Sequence, residues 1–243
     1  IFYNPNIKYL NHDIRNDLNM RKGKIAAQSA HALTGVLLGA MKKSESEFIL
    51  EGDNLSLYKE WKEKNYPIEI SIVNSEEELL SKESNFTVMI KDQGRTEFGK
   101  PTYTTCGEFE GIEIKKLIDL ETTQLKPAKQ TLIANRDLKL TKWELAPRAA
   151  LASWLVLEEL MEKEEDKWIL KLKNEALTSW LLGAFAKITL KIEEENVPLI
   201  LNNLKEHDIN HYKVENEKGL VVLATSPQFS ESIDPITSYL KLY

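Results

Sequence analysis

The sequence predicts an α/β fold organised as two tandem copies of one layered-sheet domain, residues 1–127 and 128–243. Three observations support this. The chain resembles itself at an offset of about 120 residues, each copy alternates strand-forming with helix-forming stretches, and the composition, 42% hydrophobic and 29% charged, is that of an ordinary globular chain.

The repeat is visible residue by residue. Asp17-Leu18 followed by Lys24-Ile25-Ala26 returns as Asp137-Leu138 followed by Glu144-Leu145-Ala146, with Ala30 and Ala32 matching Ala150 and Ala152. Trp61 and the residues after it match Trp180 and its successors, each a helix end running into a strand. Ile118-Asp119, Thr122, Leu125 and Lys126 return as Ile233-Asp234, Thr237, Leu240 and Lys241. The join near Leu125–Ala128 is short, so the copies are expected to pack closely.

Along the first copy, Ile7–Ile14 reads as a strand, 23–40 as a helix and Leu55–Lys64 as an amphipathic helix. Ile68–Val73 is a β-branched strand. Asn74-Ser75-Glu76-Glu77-Glu78 supplies a cap and acidic first turn for a third helix reaching about Lys82, and Phe86–Lys91 and Thr104–Phe109 complete the strands. The polar stretch Lys42–Asn54 reads as an inserted loop without a counterpart in the second copy.

Composition narrows the function. No apolar run approaches the roughly 18 residues of a membrane span, and Ile1-Phe-Tyr-Asn-Pro-Asn6 lacks the features of a secretory leader. The single Cys106 excludes an internal disulfide and a cysteine zinc cage. A reducing, cytoplasmic setting is the expectation. The net charge of −6 divides evenly, 17 Lys/Arg against 20 Asp/Glu in residues 1–127 and 15 against 18 in 128–243. A nucleic-acid ligand would therefore be held by a local cluster rather than a global field.

One local cluster stands out. Arg21, Lys22 and Lys24 crowd the start of the 23–40 helix, where the macrodipole disfavours each cation by roughly 0.3–1 kcal/mol. Beyond them Ile25, Ser29, Ala32, Leu33 and Val36 form a core stripe, and Lys24, Gln28, His31 and Gly35 a neighbouring chemical one.

Arg15–His31, together with Asp92-Gln-Gly-Arg-Thr96 and Thr104, resembles the peptidyl-tRNA hydrolase II family of archaea and eukaryotes, and Ile233–Tyr243 is similar to that family's usual C-terminus. The resemblance implies a three-layer α/β/α fold on a four-stranded mixed sheet for each copy, and metal-free, cofactor-free hydrolysis of the ester joining a peptide to the 3′ end of tRNA. It maps the functional positions onto Lys24, Gln28, Asp92, Thr96 and Thr104. Ester hydrolysis needs an oriented water and a stabilised oxyanion. On this reading Asp92 orients or deprotonates water directly or through Thr104, and Lys24 helps to hold the oxyanion. Arg21, Lys22, Arg95 and Lys100, with Lys115 and Lys116, are candidates for acceptor-stem phosphates. The sequence departs from the family at Arg21, where a glycine is usual, at Gln93, and at Asn11-His12-Asp13 in the first strand.

The second copy has lost this chemistry. Glu144, Arg148, Leu151 and Trp143 stand where Lys24, Gln28, His31 and Gly23 stood, and Val214–Gly219 replaces the Asp92 loop. Thr141-Lys-Trp-Glu144 reads as a capping box, and Pro147 is expected to bend or delay its helix. The expectation is an intrachain pseudo-dimer, monomeric in solution, with one active centre in the first copy and a structural second copy. The competing reading is a non-catalytic tRNA- or protein-binding protein on the same fold. His31 is expected to be a partly buried imidazole bonded to backbone, and the five tryptophans to be core or inter-copy contacts. His207 and His211 lack the third ligand of a metal site.

Overall fold

The computed structural model describes residues 10–94, 96–114 and 125–243. Arg95, Lys115, Lys116, the first three positions of the Ile7–Ile14 strand and the Ile118–Thr122 part of the repeated ending lie outside them. The first half contains β1 (Leu10–Arg15), α1 (Lys22–Gly39), β2 (Lys42–Lys43), β3 (Glu47–Glu51), α2 (Gly52–Glu63), β4 (Ile68–Val73), α3 (Glu76–Leu80), β5 (Thr87–Asp92) and β6 (Thr102–Phe109). The second contains β7 (Ala128–Asn135), α4 (Lys142–Glu159), β8 (Glu162–Lys163), β9 (Lys167–Lys171), α5 (Glu175–Leu182), β10 (Ala186–Ile192), α6 (Val197–Glu206), β11 (His211–Asn216), β12 (Gly219–Thr225), β13 (Gln228–Phe229), α7 (Ser230–Thr237) and β14 (Lys241–Leu242).

The element order repeats through the twelfth strand. The first sheet runs β4-β1-β6-β5, mixed because β1 and β4 are parallel and the other pairs antiparallel. The second repeats it as β10-β7-β12-β11. It is six-stranded, not four-stranded, because the closing segment adds β14 along β10 and β13 along β7.

The stretch expected to be an inserted loop is the main correction. Lys42–Glu51 forms the β2–β3 hairpin, Gly52–Glu63 continues as α2, and the second half has the matching β8–β9 hairpin. The two hairpins join as a third sheet, β2-β3-β9-β8, in which Ile49 faces Ile169, its own counterpart. Phe48 and Leu50 gain burial here, which explains why five residues with charged ends hold a strand.

Between the two main sheets lies one shared helical layer, α1 packed along α4. Helix α1 is accordingly buried nearly all round, from Gly23 to Gly39, rather than two-faced. Its small residues permit this. A side chain on Gly107 of β6 would come within 2.9 Å of Val36 and 3.0 Å of the Ala32 carbonyl. Helix α4 starts at Lys142 under the expected capping box of Thr141 and Glu144, and runs through Pro147 without delay. Helix α3 covers the outer face of the first sheet, and α6 with α7 the outer face of the second, through Ile133, Ile192, Ile200, Leu204 and Ile233.

Polar groups at the junction are satisfied across it. Glu158 of α4 accepts hydrogen bonds from the Tyr58 hydroxyl and Lys62 of α2, from Tyr66 at 3.2 Å and from Lys163 at 2.9 Å. The Trp154 indole donates to the same Tyr58 hydroxyl at 2.7 Å. Lys187, buried beneath the Trp180 and Phe185 rings, donates to Gln130 at 2.7 Å, Ser153 at 2.8 Å and Thr34 at 3.2 Å. Burial holds its ammonium well below the ordinary lysine range. His31 packs its ring on Phe185 at 5.4 Å, across the junction, rather than on backbone. Trp61, Trp154, Trp168 and Trp180 are buried as expected.

His12 is among the buried polar residues left without a partner. It is fully buried in β1 with neither ring nitrogen hydrogen-bonded, and burial lowers its pKa from 6.5 to about 3. The unfolded chain therefore takes up a proton that the folded chain refuses. Stability falls as pH drops below 6.5 and levels off near 3. His12→Leu removes this penalty, and urea titrations at pH 7 and pH 5 are expected to show a relative gain of about 2 kcal/mol at the lower pH.

Candidate active site

Helix α1, strand β5 and strand β6 converge at one end of the first sheet. Lys24 and Gln28, one turn apart on α1, lean toward Asp92 at the end of β5, while Thr104 stands on β6 beside them. Lys24 Nζ donates to Asp92 Oδ2 at 2.5 Å, and Gln28 Nε2 donates to the same oxygen at 2.8 Å. The other carboxylate oxygen, Oδ1, accepts the Gly94 backbone N–H at 2.8 Å. Four of the five expected catalytic positions thus form one connected set, and Thr96 joins it through its hydroxyl, 3.2 Å from Lys24 Nζ.

The connection of Thr104 differs from expectation. Its hydroxyl donates to Gln28 Oε1 at 2.8 Å and lies 3.2 Å from the Ile90 carbonyl, so it reaches Asp92 only through the Gln28 amide. That bond fixes the amide's direction: with its oxygen occupied by Thr104, the NH2 group must face the carboxylate. Gln28 is 3% exposed, whereas the Lys24 and Asp92 side chains keep 14% and 13% of their surface. The set is therefore anchored on buried groups and opens to solvent at the ion pair.

The electrostatic puzzle at the head of α1 resolves here. Lys24 offsets its unfavourable position by pairing with Asp92 at short range, and its ammonium lies 5.5 Å from the centre of the Phe98 ring. Arg21, with 69% of its side chain exposed, pairs with Glu97 at 2.7 Å. Lys22 turns to the second half and donates to the Leu140 carbonyl at 2.7 Å. That bond ties the head of α1 to the second half. Lys100 is exposed on the loop after Asp92, and Arg95 falls outside the described residues. Glu97 and Phe98 were missed in the sequence because a loop of mixed residues carries no periodic signal. The Leu140 contact is to a backbone carbonyl, which no residue type announces.

The loop itself depends on Gly94. Its φ is +76° and a Cβ there would lie 2.1 Å from the Lys100 carbonyl, a conformation and an approach that only glycine tolerates. Gly94→Ala is expected to unseat the loop and lower activity at least tenfold while the melting temperature of the chain changes little, as paired rate and thermal-unfolding measurements would show.

The second half closes the back of the site. Trp143 and Ala146 of α4 pack with Ile14, Met20, Ile25 and Phe98, and the Tyr243 backbone lies so close to Gly23 that a side chain there would meet it at 2.7 Å. At the equivalent place the second half has Glu144 in its capping box and Arg148 bonded to the Glu144 carbonyl. It holds no acid–base set like that of the first half. Among the described residues no cluster of three or more potential metal ligands occurs, and no helix is long and apolar enough to cross a membrane.

The family model described as peptidyl-tRNA hydrolase PTH2 matches residues 12–127 and, a second time, residues 128–243. The chain belongs to the peptidyl-tRNA hydrolase PTH2 family. A peptidyl-tRNA hydrolase of Metallosphaera sedula is 35% identical over 119 residues, which is 46% of this chain and 93% of that protein. One from Methanococcus maripaludis is also 35% identical over 119 residues, 46% of this chain and 92% of that protein. A solved protein of unknown function from Agrobacterium aligns over 48% of this chain and 97% of its own, at 14% identity and a TM-score of 0.34. The PTH2 relatives thus span one half of this chain each, and the chain carries the family's domain in duplicate.

Proposed function

We propose that the first half hydrolyses the ester between peptide and tRNA in peptidyl-tRNA, releasing free tRNA, and that the second half serves as its built-in structural partner. The observation that carries this reading is the Lys24–Asp92–Gln28–Thr104 set, present in one half and absent from the other, in a chain of the PTH2 family. That half-by-half difference also weighs against the non-catalytic reading, because the first half retains a complete, solvent-accessible ion pair.

Asp92 holds the attacking water with the carboxylate surface left between its three donors and takes the proton the water gives up as its oxygen bonds the carbonyl carbon. Lys24 supplies positive charge for the oxygen that turns anionic as water adds to the carbonyl, and its protonated amine is the proton source within reach of the departing ribose oxygen. Thr104 and Gln28 are positioning residues: they hold the Asp92 carboxylate in one orientation at the end of β5. Thr96 steadies the ammonium. Arg21, Arg95 and Lys100 contact acceptor-stem phosphates, so binding weakens steeply with added salt. In this reading the chain works in the cytoplasm, where its substrate arises, as a monomer with one active centre.

Release of N-acetylated amino acid from acetylated aminoacyl-tRNA, followed with the unmodified chain, tests the reading. Steady turnover is the expected result. Binding of the same tRNA without release would establish the non-catalytic alternative instead.

A further inference from the structure

The strand pair that joins the halves carries a charge pattern that its symmetry makes readable. Strands β3 and β9 run antiparallel about the Ile49–Ile169 pair, so each residue of one half faces the other half across an approximate twofold axis. Glu47 faces Lys171 and Glu51 faces Lys167. The counterpart of Glu47 in the repeat is Lys167, and that of Glu51 is Lys171, so both positions have changed sign between copies. The neighbouring hairpin strands invert together with them: Lys42 bonds Glu51 in the first half, and its counterpart Glu162 bonds Lys171 in the second.

The same geometry shows what the alternatives would be. Two first halves from different chains, joined through β3, would set Glu47 against Glu51 twice. Two second halves joined through β9 would set Lys167 against Lys171 twice. Like charges directly opposite on a ladder repel, and opposite charges attract. Only a first half meeting a second half satisfies both positions.

An independent buried feature points the same way. Glu158 takes hydrogen bonds from Tyr58, Lys62 and Tyr66 across the junction. Its counterpart in the first half is Leu38, and the counterparts of Tyr58, Lys62 and Tyr66 are Leu177, Leu181 and Phe185. Paired second halves would bury Glu158 against leucines and phenylalanine with Lys163 as its remaining donor. Paired first halves would leave the Tyr58 hydroxyl opposite Leu38. Each self-pairing strands a polar group that the mixed pairing satisfies.

We infer that the two halves carry complementary recognition surfaces, an acidic β3 with Tyr58 and Lys62 on one and a basic β9 with Glu158 on the other, which select first-to-second pairing and reject pairing of either half with its own kind. The partner that fits the β3 surface is the chain's own second half, and a second copy's first half is excluded. This inference concerns pairing and stands whether or not the first half is catalytic.

Charge reversal in the full chain tests it. The chains compared are the unmodified one, E47K/E51K, K167E/K171E and the fourfold combination, each followed by thermal unfolding at low salt and by sedimentation. Each double variant also loses partners within its own half, Lys42, Glu162 or Glu164, but those losses recur in the combination and cancel in the comparison. The expected result is that the fourfold variant melts about 4 °C or more above the value given by adding the two losses, and sediments, like the unmodified chain, as a single chain. Simple addition of the two losses would overturn the inference.

Discussion

Asp92→Asn is expected to lower hydrolysis of peptidyl-tRNA by about a thousandfold with the fold unchanged. The substitution keeps the size of the side chain, but it replaces a carboxylate that accepts from Lys24, Gln28 and the Gly94 N–H with a group that has one acceptor oxygen. Water then loses the negative charge that orients it, and removing charge from such a centre typically costs two to four orders of magnitude, by roughly 10²–10⁴. Lys24→Ala is expected to cost about 10²–10³ through the lost stabilisation of the oxyanion. The pair acts as a unit, so the double variant should be little slower than the slower single one. Single-turnover release from acetylated aminoacyl-tRNA, with thermal unfolding as the control, measures all three. Rates within threefold of the unmodified chain would remove both residues from the chemistry.

The largest expected effect on stability lies at Glu158. Burial alone would raise its carboxyl pKa, but the hydrogen bonds from Lys62, Tyr58 and Lys163 prevail and hold it below the ordinary 4.5. Its contribution is thus complete above pH 4.5 and is lost as pH falls through the depressed folded value. Glu158→Ala leaves the Tyr58 hydroxyl buried without its acceptor and two lysines without their carboxylate. A loss of about 2–4 kcal/mol follows, discounted because Lys62 and Lys163 remain more than a third exposed. Glu158→Leu combined with Tyr58→Phe should restore part of that loss, since it removes both ends of the buried bond. Chemical denaturation of the three chains decides the matter, and equal loss in both variants would show that packing, not the bond, holds this corner.

The site was more legible in the sequence than its surroundings, for a physical reason. Lys24 sits where a cation opposes the helix dipole, Gly94 stands where the chain must turn with positive φ, and such costs mark a position before any neighbour is known. Helix α1 declared itself through apolar spacing, strand β4 through its β-branched residues, and α4 through the repeat and its capping box. The β2–β3 hairpin did not. Glu47-Phe-Ile-Leu-Glu51 is too short and too charged at its ends to read as a strand, and it is one because β9 pairs with it. The burial of α1 nearly all round was hidden for the same reason: Gln28 and Gly35 belong to the chemical stripe until their neighbours in the fold close over them. Lys22 illustrates the limit most sharply. Its charge was visible, but its partner is the carbonyl of Leu140, about 118 positions away, and backbone acceptors leave no trace in residue type.

The shared layer of α1 and α4 also imposes an order in time. A ribosome delivers α1 first, and about a hundred further residues must emerge before α4 exists to cover its second face. During that interval the nascent chain presents an apolar helix with nothing to lie against, the kind of surface that chaperones bind and that aggregates in their absence. The covering of α1, the Lys22 contact with the Leu140 carbonyl and the approach of Tyr243 to Gly23 all wait on residues of the second half. The half that carries Lys24 and Asp92 is therefore the first to be made and the last to be supported.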